Sequence, residues 1–403
     1  MDQIVSPTQP VIVVSGSVHY DLMLHVPQLP GDNDRISPTA ATLAPGGMGG
    51  NVAAAAARLG GEVRFVGQFA TDADGDALRD DLVRDGVDVR WAGSRVSTIQ
   101  YRGTILVDYR GQRAILGSWP DPNGMDRAPG QAPGLVRDLL EKGSPKEIAA
   151  RYGFGSFEAP AEVFLGDNVA FAAPFNFAPM VLLSVPDSIP VYLDIETGHI
   201  SGWSESDIWK TLRRATVVYG NQRNLADLAR RLDHPSVTAL SKTLRGTLVE
   251  TSGDLGCELH ESGSRTVVPG YSVDTVDTTG AGDCFAAACT LALRRGSSLV
   301  EAARFANAAA ALSTRALGSR PGVPTSTELD EFLSESPTTV SPQVDPILRA
   351  GLRGIVSSSN GRFPGVDEIH DSRVDNRESI PPELFAQKLM SRIHAGNNTK
   401  GNS

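Results

Sequence analysis

Short apolar runs alternate with helical patterns along the first ninety residues. Residues 11–16 (VIVVSG) are a β-branched run typical of a buried strand. A glycine cluster opens an alanine-rich helical pattern over 44–61, residues 62–67 form a second strand pattern, and residues 74–86 are amphipathic. This alternation predicts an α/β fold, with a doubly wound and mainly parallel sheet flanked by helices.

Residues 87–117 interrupt the alternation with three strand-like segments separated by short turns. We predict that they form a small antiparallel β lid, together with residues from about 11–45. The α/β pattern then resumes with four core strands and two helices. The strands are predicted near 169–175, 189–195, 215–220 and 246–252, and the helices near 282–295 and 298–315.

The remaining segments predict the domain limits. Residues 1–335 are interpreted as one domain and residues 336–403 as a partly flexible C-terminal extension, because polar, linker-like stretches begin there. Residues 120–168 are an insertion with a loop-like first half and two helical patterns within 136–153. One more helix is expected at 381–394.

Composition narrows the class of protein. Hydrophobic residues make up 40% and charged residues 21% of the 403 positions, so a sizeable core is expected. The net charge of −10 and the absence of a Lys/Arg cluster argue against binding to nucleic acid or to an anionic membrane. The chain starts without a signal-peptide pattern and has no apolar run of bilayer-spanning length, which predicts a cytoplasmic protein.

The three cysteines, Cys257, Cys284 and Cys289, show no CxxC spacing. They do not form a disulfide framework, and the two in the helical pattern near 282–295 are interpreted as buried packing residues. A reducing compartment is therefore expected.

The segment DTTGAGDCF (277–285) is the strongest candidate for chemistry. Gly280, Ala281 and Gly282 precede a helix, where unpaired N–H groups and the helix dipole favour a phosphate. Asp283 would be repelled by that phosphate unless it accepts a proton from an attacking hydroxyl. A tight turn with an acid that complements the dipole explains the same residues equally well, so both interpretations stay open on this segment alone.

The whole stretch DTTGAGDCF resembles the C-terminal signature of the ribokinase-like (PfkB-type) carbohydrate kinases. The resemblance continues in the same order over about residues 11–325. It implies a ribokinase-like fold. It also implies an enzyme that uses ATP and Mg²⁺ to phosphorylate a hydroxymethyl group of a small, ribose- or fructose-like sugar. It further implies Asp283 as general base, the amides of residues 280–282 as an anion hole, and a possible homodimer through the lid strands.

The sugar side is suggested by VSGSVHYDLML and PGGMGGNVAAAAARLG, which resemble the first strand and the N-terminal glycine motif of the family. This implies that Asp21 and Asn51 bind sugar hydroxyls, for which their acceptors and amide donor are suited. Gly46 and Gly47 would let the backbone approach the sugar, and Arg113 matches an often basic position after the lid hairpin. Without the resemblance, we would interpret the glycines as a turn that leads into the helix, and Arg113 as a solvent-exposed charge on a strand.

The nucleotide side is suggested by ETSGDLGCEL (250–259), which resembles the T-x-G-x-x-G turn of the family. The resemblance implies five cofactor-binding residues: Thr251, Gly253, Gly256, Asn221 and Asn307. The last of these reads as a packing amide if the resemblance is set aside.

One departure concerns the metal. After the strand near 215–220 the family has N-x-x-E, whose Glu organises magnesium, whereas this chain has GNQRNLAD. Asn224 occupies the Glu position, and a shifted register would use Asp227 instead. The metal ligands are therefore unassigned, with these two residues as the only candidates.

Three other functions stay open. A kinase for phosphorylated or sulfonated sugars would need extra cations, and a nucleoside kinase would need an aromatic wall. The candidates are Arg35, Arg102 and Arg113 for the first, and Tyr101, Trp119 and Phe175 for the second. A catalytically weak sugar-binding regulatory protein would keep the cleft without turnover. A dinucleotide-dependent oxidoreductase is disfavoured, because GSVHYD rather than GxGxxG follows the first strand.

Overall fold

The computed structural model describes residues 9–94, 102–109, 113–118, 159–176, 178, 182 and 184–335. The helices predicted within 136–153 and at 381–394, like the C-terminal extension 336–403, lie outside the described residues. The proposed domain limits therefore stay a prediction.

The strands form a nine-stranded sheet, a four-stranded sheet and a two-stranded sheet within the described residues. Their bounds are β1 Val11–Ser15, β2 His19–His25, β3 Ala40–Gly46, β4 Glu62–Val66, β5 Gln68–Phe69, β6 Val87–Asp88, β7 Gly93–Ser94, β8 Arg102–Val107, β9 Arg113–Ser118, β10 Val169–Pro174, β11 Val191–Asp194, β12 Val217–Asn221, β13 Thr247–Thr251, β14 Cys257–Glu261 and β15 Ser264–Val268.

The described α-helices are α1 Met48–Arg58, α2 Ala73–Arg84, α3 Glu205–Leu212, α4 Gln222–Arg231, α5 Val237–Ser241, α6 Ala281–Arg294, α7 Leu299–Ser313 and α8 Ser326–Glu335. The two helices predicted near 282–295 and 298–315 are confirmed as α6 and α7. Helix α7 begins at a capping box of Ser298 and Glu301, which satisfies N–H groups at its N-terminus.

The large sheet has the order β15-β14-β13-β12-β11-β10-β1-β4-β6. Its strands pair in parallel from β6 to β13, and β14 and β15 add an antiparallel edge. β1 and β10 are buried along their whole length, which explains their continuous apolar sequence. Parallel pairing brings the carboxyl ends of β10 to β13 to one edge of the sheet, where ligands bind in folds of this class.

Helices cover both faces of this sheet and form two apolar cores. The first core contains residues of α1, α6 and α7, and the second contains residues of α3, α4 and α5. Helix α6 contacts both α1 and α7. Their alanines are small enough for close helix packing, so the N-termini of α1 and α6 are held near each other.

The small antiparallel sheet has the strand order β3-β2-β8-β9. The predicted lid is therefore confirmed for β8 and β9 but wrong for residues 87–94. β6 pairs in parallel with β4 at the edge of the large sheet, and β7 pairs in parallel with β5. The physical reason is burial, since Val87 and Val89 are 4% and 7% exposed in the first core.

The described residues belong to two compact units. The larger takes its residues from 9–23, 41–105 and 115–335, and the smaller from 24–40 and 106–114. In the smaller unit the Val26 N–H donates to the Val107 carbonyl at 2.9 Å, and the Thr39 N–H donates to the His25 carbonyl at 2.8 Å. In the described part of the chain, every helix is too short or too polar to cross a membrane.

Candidate active site

The turn before α6 is fixed by side chains on both sides. Gly280 has φ 78°, and a Cβ there would lie 2.6 Å from the Ser319 Cβ, so the position requires glycine. Asp277 ties the turn down, because one carboxylate oxygen accepts from the Thr279 N–H at 2.9 Å and the other from the Gly318 N–H at 2.9 Å. The glycine turn and residues 318–320 therefore form one rigid corner.

The amides at the start of α6 are only partly used by the protein. The Ala281 N–H donates to the Thr278 carbonyl at 3.3 Å, which removes one member of the predicted donor set. Among the described residues, no acceptor pairs with the N–H groups of Gly280, Gly282 or Asp283. Gly282 is exposed, and a Cβ there would meet nothing within 4 Å. The open donors point to a space that an anion can occupy.

Asp283 lies in the first turn of α6, where Asn51 of α1 donates from Nδ2 to its Oδ2 at 2.7 Å. Its pKa is raised to about 7, chiefly because burial penalises the charged carboxylate. The hydrogen bond from Asn51 acts in the opposite direction, the negative charges of Glu196 and Asp21 raise the pKa, and the Arg320 charge lowers it. Such a carboxylate can accept and release a proton near neutral pH.

Asn51 is itself held by two donors that sequence reasoning missed. Its Oδ1 lies 3.0 Å from the Ser319 Oγ and accepts from the Arg320 Nε at 3.1 Å. Arg320 is 2% exposed, and its Nη2 donates to the Gly46 carbonyl at 2.9 Å. The only signal in the sequence was an arginine placed between small residues in LGSRPG, directly after the alanine-rich helix α7.

Asp21 is placed by two glycines on neighbouring strands. A Cβ at Gly46 or at Gly103 would overlap the Asp21 carboxylate, so both positions need glycine for Asp21 to adopt this orientation. His19 Nε2 lies 3.2 Å from Asp21 Oδ1. Gly47 follows with φ 87° and packs against the Ser17 backbone. The structure therefore brings Asp21, Gly46, Gly47 and Asn51 together, and their binding of a sugar stays a prediction.

The predicted nucleotide residues lie where β13 turns into β14. Thr251 ends β13, and the Ser252 N–H donates to the Gly256 carbonyl at 2.8 Å, which closes the turn. Gly253 and Gly256 have φ 61° and 92°, and a Cβ at Gly253 would meet nothing within 4 Å. The turn therefore leaves open space at Gly253, next to the carboxyl edge of the sheet.

Comparison with known proteins identifies this arrangement. A family model described as pfkB family carbohydrate kinase matches residues 9–326. The chain belongs to the PfkB family of carbohydrate kinases. The resemblance seen in the sequence is thereby confirmed, and the protein is a carbohydrate kinase.

Relatives and a solved structure agree with this assignment. The chain is 27% identical over 334 residues to ribokinase of Bacillus subtilis, covering 80% of this chain and 99% of that protein. It is 31% identical over 310 residues to fructokinase-1 of Oryza sativa, covering 73% and 89%. The nucleoside kinase of Methanocaldococcus jannaschii has the same fold, with a TM-score of 0.63 at 16% identity over 82% of this chain and 100% of that one. The relatives are thus sugar kinases, and the solved structure shows that the fold is shared.

Asn307 of this PfkB kinase holds the segment that packs against Gly256. Its Nδ2 donates to the carbonyls of Val268 and Pro269 at 3.2 and 3.0 Å, and the residue is 6% exposed. The amide nitrogen therefore braces the chain after β15, and a contact of Asn307 with adenine stays a prediction.

The predicted cofactor residue Asn221 and the two candidates for the metal have structural partners. Asn221 caps α4 by accepting from the Asn224 N–H at 2.8 Å. Asn224 Oδ1 accepts from the N–H and the hydroxyl of Thr197 at 3.3 and 3.2 Å. Asp227 pairs with Arg230 on the same helix. All three thus hold α4 and its neighbouring loop in place.

Two carboxylates that the sequence reading overlooked interact electrostatically with Asp283. Asp194 ends β11, and Glu196 follows on the segment that Asn224 holds through Thr197. The pKa of Asp194 is raised well above its ordinary value by burial first, and then by the charges of Asp283 and Glu196. These carboxylates near the carboxyl edge of the sheet carry oxygen atoms, the ligand type that Mg²⁺ prefers.

The aromatic candidate Phe175 is excluded as a stacking wall. It is 1% exposed and packs on Trp203 in the second core, with ring centroids 5.7 Å apart. Tyr101 and Trp119 lie outside the described residues, as do the side chains of Arg102 and Arg113. Arg35 is exposed in the smaller unit.

All three cysteines are free and buried, which confirms the expected absence of a disulfide. Burial raises the pKa of each thiol to about 12, so these side chains are inert packing groups.

Proposed function

We propose that this kinase transfers the γ-phosphoryl group of ATP to a hydroxymethyl group of a small, ribose- or fructose-like sugar. One observation carries the proposal. Asp283 lies beside the open amides of Gly280 and Gly282 and is hydrogen-bonded to Asn51 of the glycine motif. A proton acceptor, an anion site and the predicted sugar residues thus share one corner of the larger unit.

On the sugar side, Asp21 would accept hydrogen bonds from sugar hydroxyls, while Gly46 and Gly47 leave the backbone accessible. The amide nitrogen of Asn51 donates one of its two hydrogens to Asp283. The second hydrogen would be donated to the sugar, since the described residues give Nδ2 no other hydrogen bond. The family resemblance also implies a substrate-binding role for Arg113.

In the transfer step, a carboxylate oxygen of Asp283 takes the proton of the sugar hydroxyl. The hydroxyl oxygen then forms its bond to the γ-phosphorus as the bond to the β-phosphate oxygen breaks, so that ADP leaves. The amides of Gly280 and Gly282, at the positive end of the α6 dipole, stabilise the negative charge of the moving phosphoryl group. Closure of the lid strands would exclude water as a competing acceptor.

On the nucleotide side, membership of a kinase family implies the use of ATP. Thr251, Gly253 and Gly256 would lie near its phosphates and ribose, with Asn221 and Asn307 supporting the walls. Mg²⁺ would be held by Asp194 and Glu196, directly or through water, and when bound it neutralises the ATP phosphates. The predicted cytoplasmic setting belongs to this proposal, because ATP is abundant there.

The direct test measures ADP release with MgATP across a panel of acceptors. The panel includes ribose, fructose, a sugar phosphate, a sulfonated sugar and a nucleoside. We expect turnover with a free sugar and a product phosphorylated on its hydroxymethyl group. Turnover with only the sugar phosphate, the sulfonated sugar or the nucleoside would show that the acceptor is that compound and not a free sugar. Binding of sugar without ADP release from any acceptor would favour the regulatory protein instead.

The pH dependence of the reaction follows from Asp283. Its pKa of about 7 means that the base is protonated, and inactive, at lower pH. We expect kcat/KM for the sugar to rise tenfold per pH unit below about pH 7 and to level off above it. Initial rates in buffers of constant ionic strength measure this profile. A profile flat down to pH 5 would contradict the assignment of Asp283 as the base.

A further inference from the structure

Arg320 is a buried cation without an ion-pair partner among the described residues. It is 2% exposed, and it donates only to neutral oxygens, the Asn51 Oδ1 at 3.1 Å and the Gly46 carbonyl at 2.9 Å. Its Nη1 is buried and has no hydrogen-bond partner in the described part of the chain. Burial of a charge in this way costs free energy. A position that carries such a cost calls for a functional explanation.

We propose that Arg320 is a positioning residue that fixes the orientation of the Asn51 amide against Asp283. The two ends of a carboxamide have opposite hydrogen-bonding character, because the oxygen accepts and the nitrogen donates. The Arg320 Nε can only donate, so it requires the oxygen of Asn51 on its side. The single hydroxyl hydrogen of Ser319 is shared between the Asn51 Oδ1 and the Pro45 carbonyl, each 3.0 Å away. The nitrogen must then face the carboxylate of Asp283. This inference rests on the proposed function, in which the carboxylate of Asp283 is the general base.

The orientation matters because a rotated amide would present its oxygen to a carboxylate. With Arg320 in place, the hydrogen bond from Asn51 and the nearby positive charge both favour ionised Asp283. They oppose burial and the negative charges of Glu196, which follows β11, and of Asp21 on β2. Asp194, at the end of β11, is a further carboxyl group that interacts with Asp283. Without Arg320 the base would hold its proton more tightly and point less accurately at the sugar.

The backbone at Arg320 is anchored independently of its guanidinium. Arg58 donates from Nη1 to the Arg320 carbonyl at 2.6 Å and pairs with Asp85. On the other side, Gly318 is held by Asp277. A change of the Arg320 side chain therefore leaves residues 318–320 attached to α1 and to the glycine turn.

The test replaces Arg320 with methionine and with lysine. Lysine keeps the charge but lacks the rigid guanidinium fork, so it cannot donate to Asn51 and Gly46 together. We expect Arg320→Met to lower kcat by about tenfold to a hundredfold. We also expect it to move the acid limb of kcat/KM upward by about one pH unit. Arg320→Lys should show a smaller shift. Ser319→Ala should shift the limb less than Arg320→Met, because the Ser319 hydroxyl hydrogen is shared with the Pro45 carbonyl.

The matched control is Arg64→Met. The Arg64 guanidinium also donates to two main-chain carbonyls, those of Val163 and Leu165, at 2.8 Å each. We expect a comparable loss of thermal stability in this variant with no movement of the pH profile. An equal movement in both variants would overturn the proposal, because it would then reflect loosened packing alone.

A measurement that needs no turnover separates this proposal from the proposed function. The carboxyl carbon of Asp283 can be titrated by NMR in protein labelled at aspartate, with Asp283→Asn identifying the signal. We expect the pKa of Asp283 to rise in Arg320→Met, and to rise much less when Arg320→Met is combined with Asn51→Ala. An unchanged pKa in folded Arg320→Met, or equal rises in both backgrounds, overturns the proposal. A wild-type protein inactive on every acceptor would instead refute the proposed function.

Discussion

Replacement of Asp283 by asparagine is expected to lower kcat by about a thousandfold, because a neutral amide cannot accept the proton of the sugar hydroxyl. The substitution keeps the shape of the side chain and its contact with Asn51, which donates to Asp283 Oδ2. Binding of sugar and ATP, measured by calorimetry, should therefore stay within about threefold of wild type. A loss confined to kcat identifies an interaction made in the transition state.

The melting temperature of Asp283→Asn at different pH values shows whether the variant is folded and is therefore the control. The pKa of Asp283 is raised from 3.8 to about 7, so the folded protein resists its ionisation. Between about pH 4 and pH 7 the folded state holds this proton more tightly than the unfolded state, and wild type loses stability as the pH rises. Asp283→Asn should therefore melt at a higher temperature than wild type at pH 8 and lose this advantage near pH 4. Near-normal kcat in a variant with this melting behaviour would contradict the general base.

The parts of the site that depend on local sequence were predictable. Gly280 is needed for its positive φ, and Gly46 is needed because Asp21 fills the space of a side chain. Such requirements leave a glycine at a fixed place in the sequence. The strands β1, β10 and β11 were predictable for a similar reason, since a strand buried on both faces needs an unbroken apolar run.

The contacts that orient the base were not predictable, because they join distant parts of the chain. Asn51 is 232 residues from Asp283 and 269 residues from Arg320. A local pattern carries no information about which amide oxygen meets which guanidinium. The same limit explains Phe175, whose aromatic ring suited a stacking wall but packs on Trp203 in the core.

The position predicted for a metal ligand, Asn224, shows how a substitution at one residue changes the roles of its neighbours. Asn224 removes the acid expected on α4, and its Oδ1 instead holds Thr197. This contact fixes the segment that carries Glu196, beside Asp194 at the end of β11. The charge of Glu196, on the segment after β11, therefore acts on Asp283, whereas the sequence pattern placed an acid on α4.

Replacement of Gly280 by alanine is expected to lower stability, whereas replacement of Gly282 by alanine is expected to lower activity. In Gly280→Ala the new Cβ meets Ser319 and the backbone must keep φ 78°, so we expect a loss of at least about 2 kcal/mol in the free energy of unfolding. In Gly282→Ala the Cβ meets only open space, and stability should be unchanged or slightly higher. Its methyl group would nevertheless stand where the phosphate binds, lowering kcat/KM for ATP on the order of a hundredfold.

Urea denaturation and ATP kinetics on the same preparations separate these effects. Gly296→Ala is the matched control for Gly280→Ala, because Gly296 also has a positive φ, of 92°, and a Cβ there meets nothing within 4 Å. It lies beyond the far end of α6, so it should cost about 1 kcal/mol of stability while ATP kinetics stay normal. If Gly282→Ala turned over ATP at the wild-type rate, the space beside its amide would not be the phosphate site. Asp283 would then only complement the dipole of α6 and would not act as the base in phosphoryl transfer.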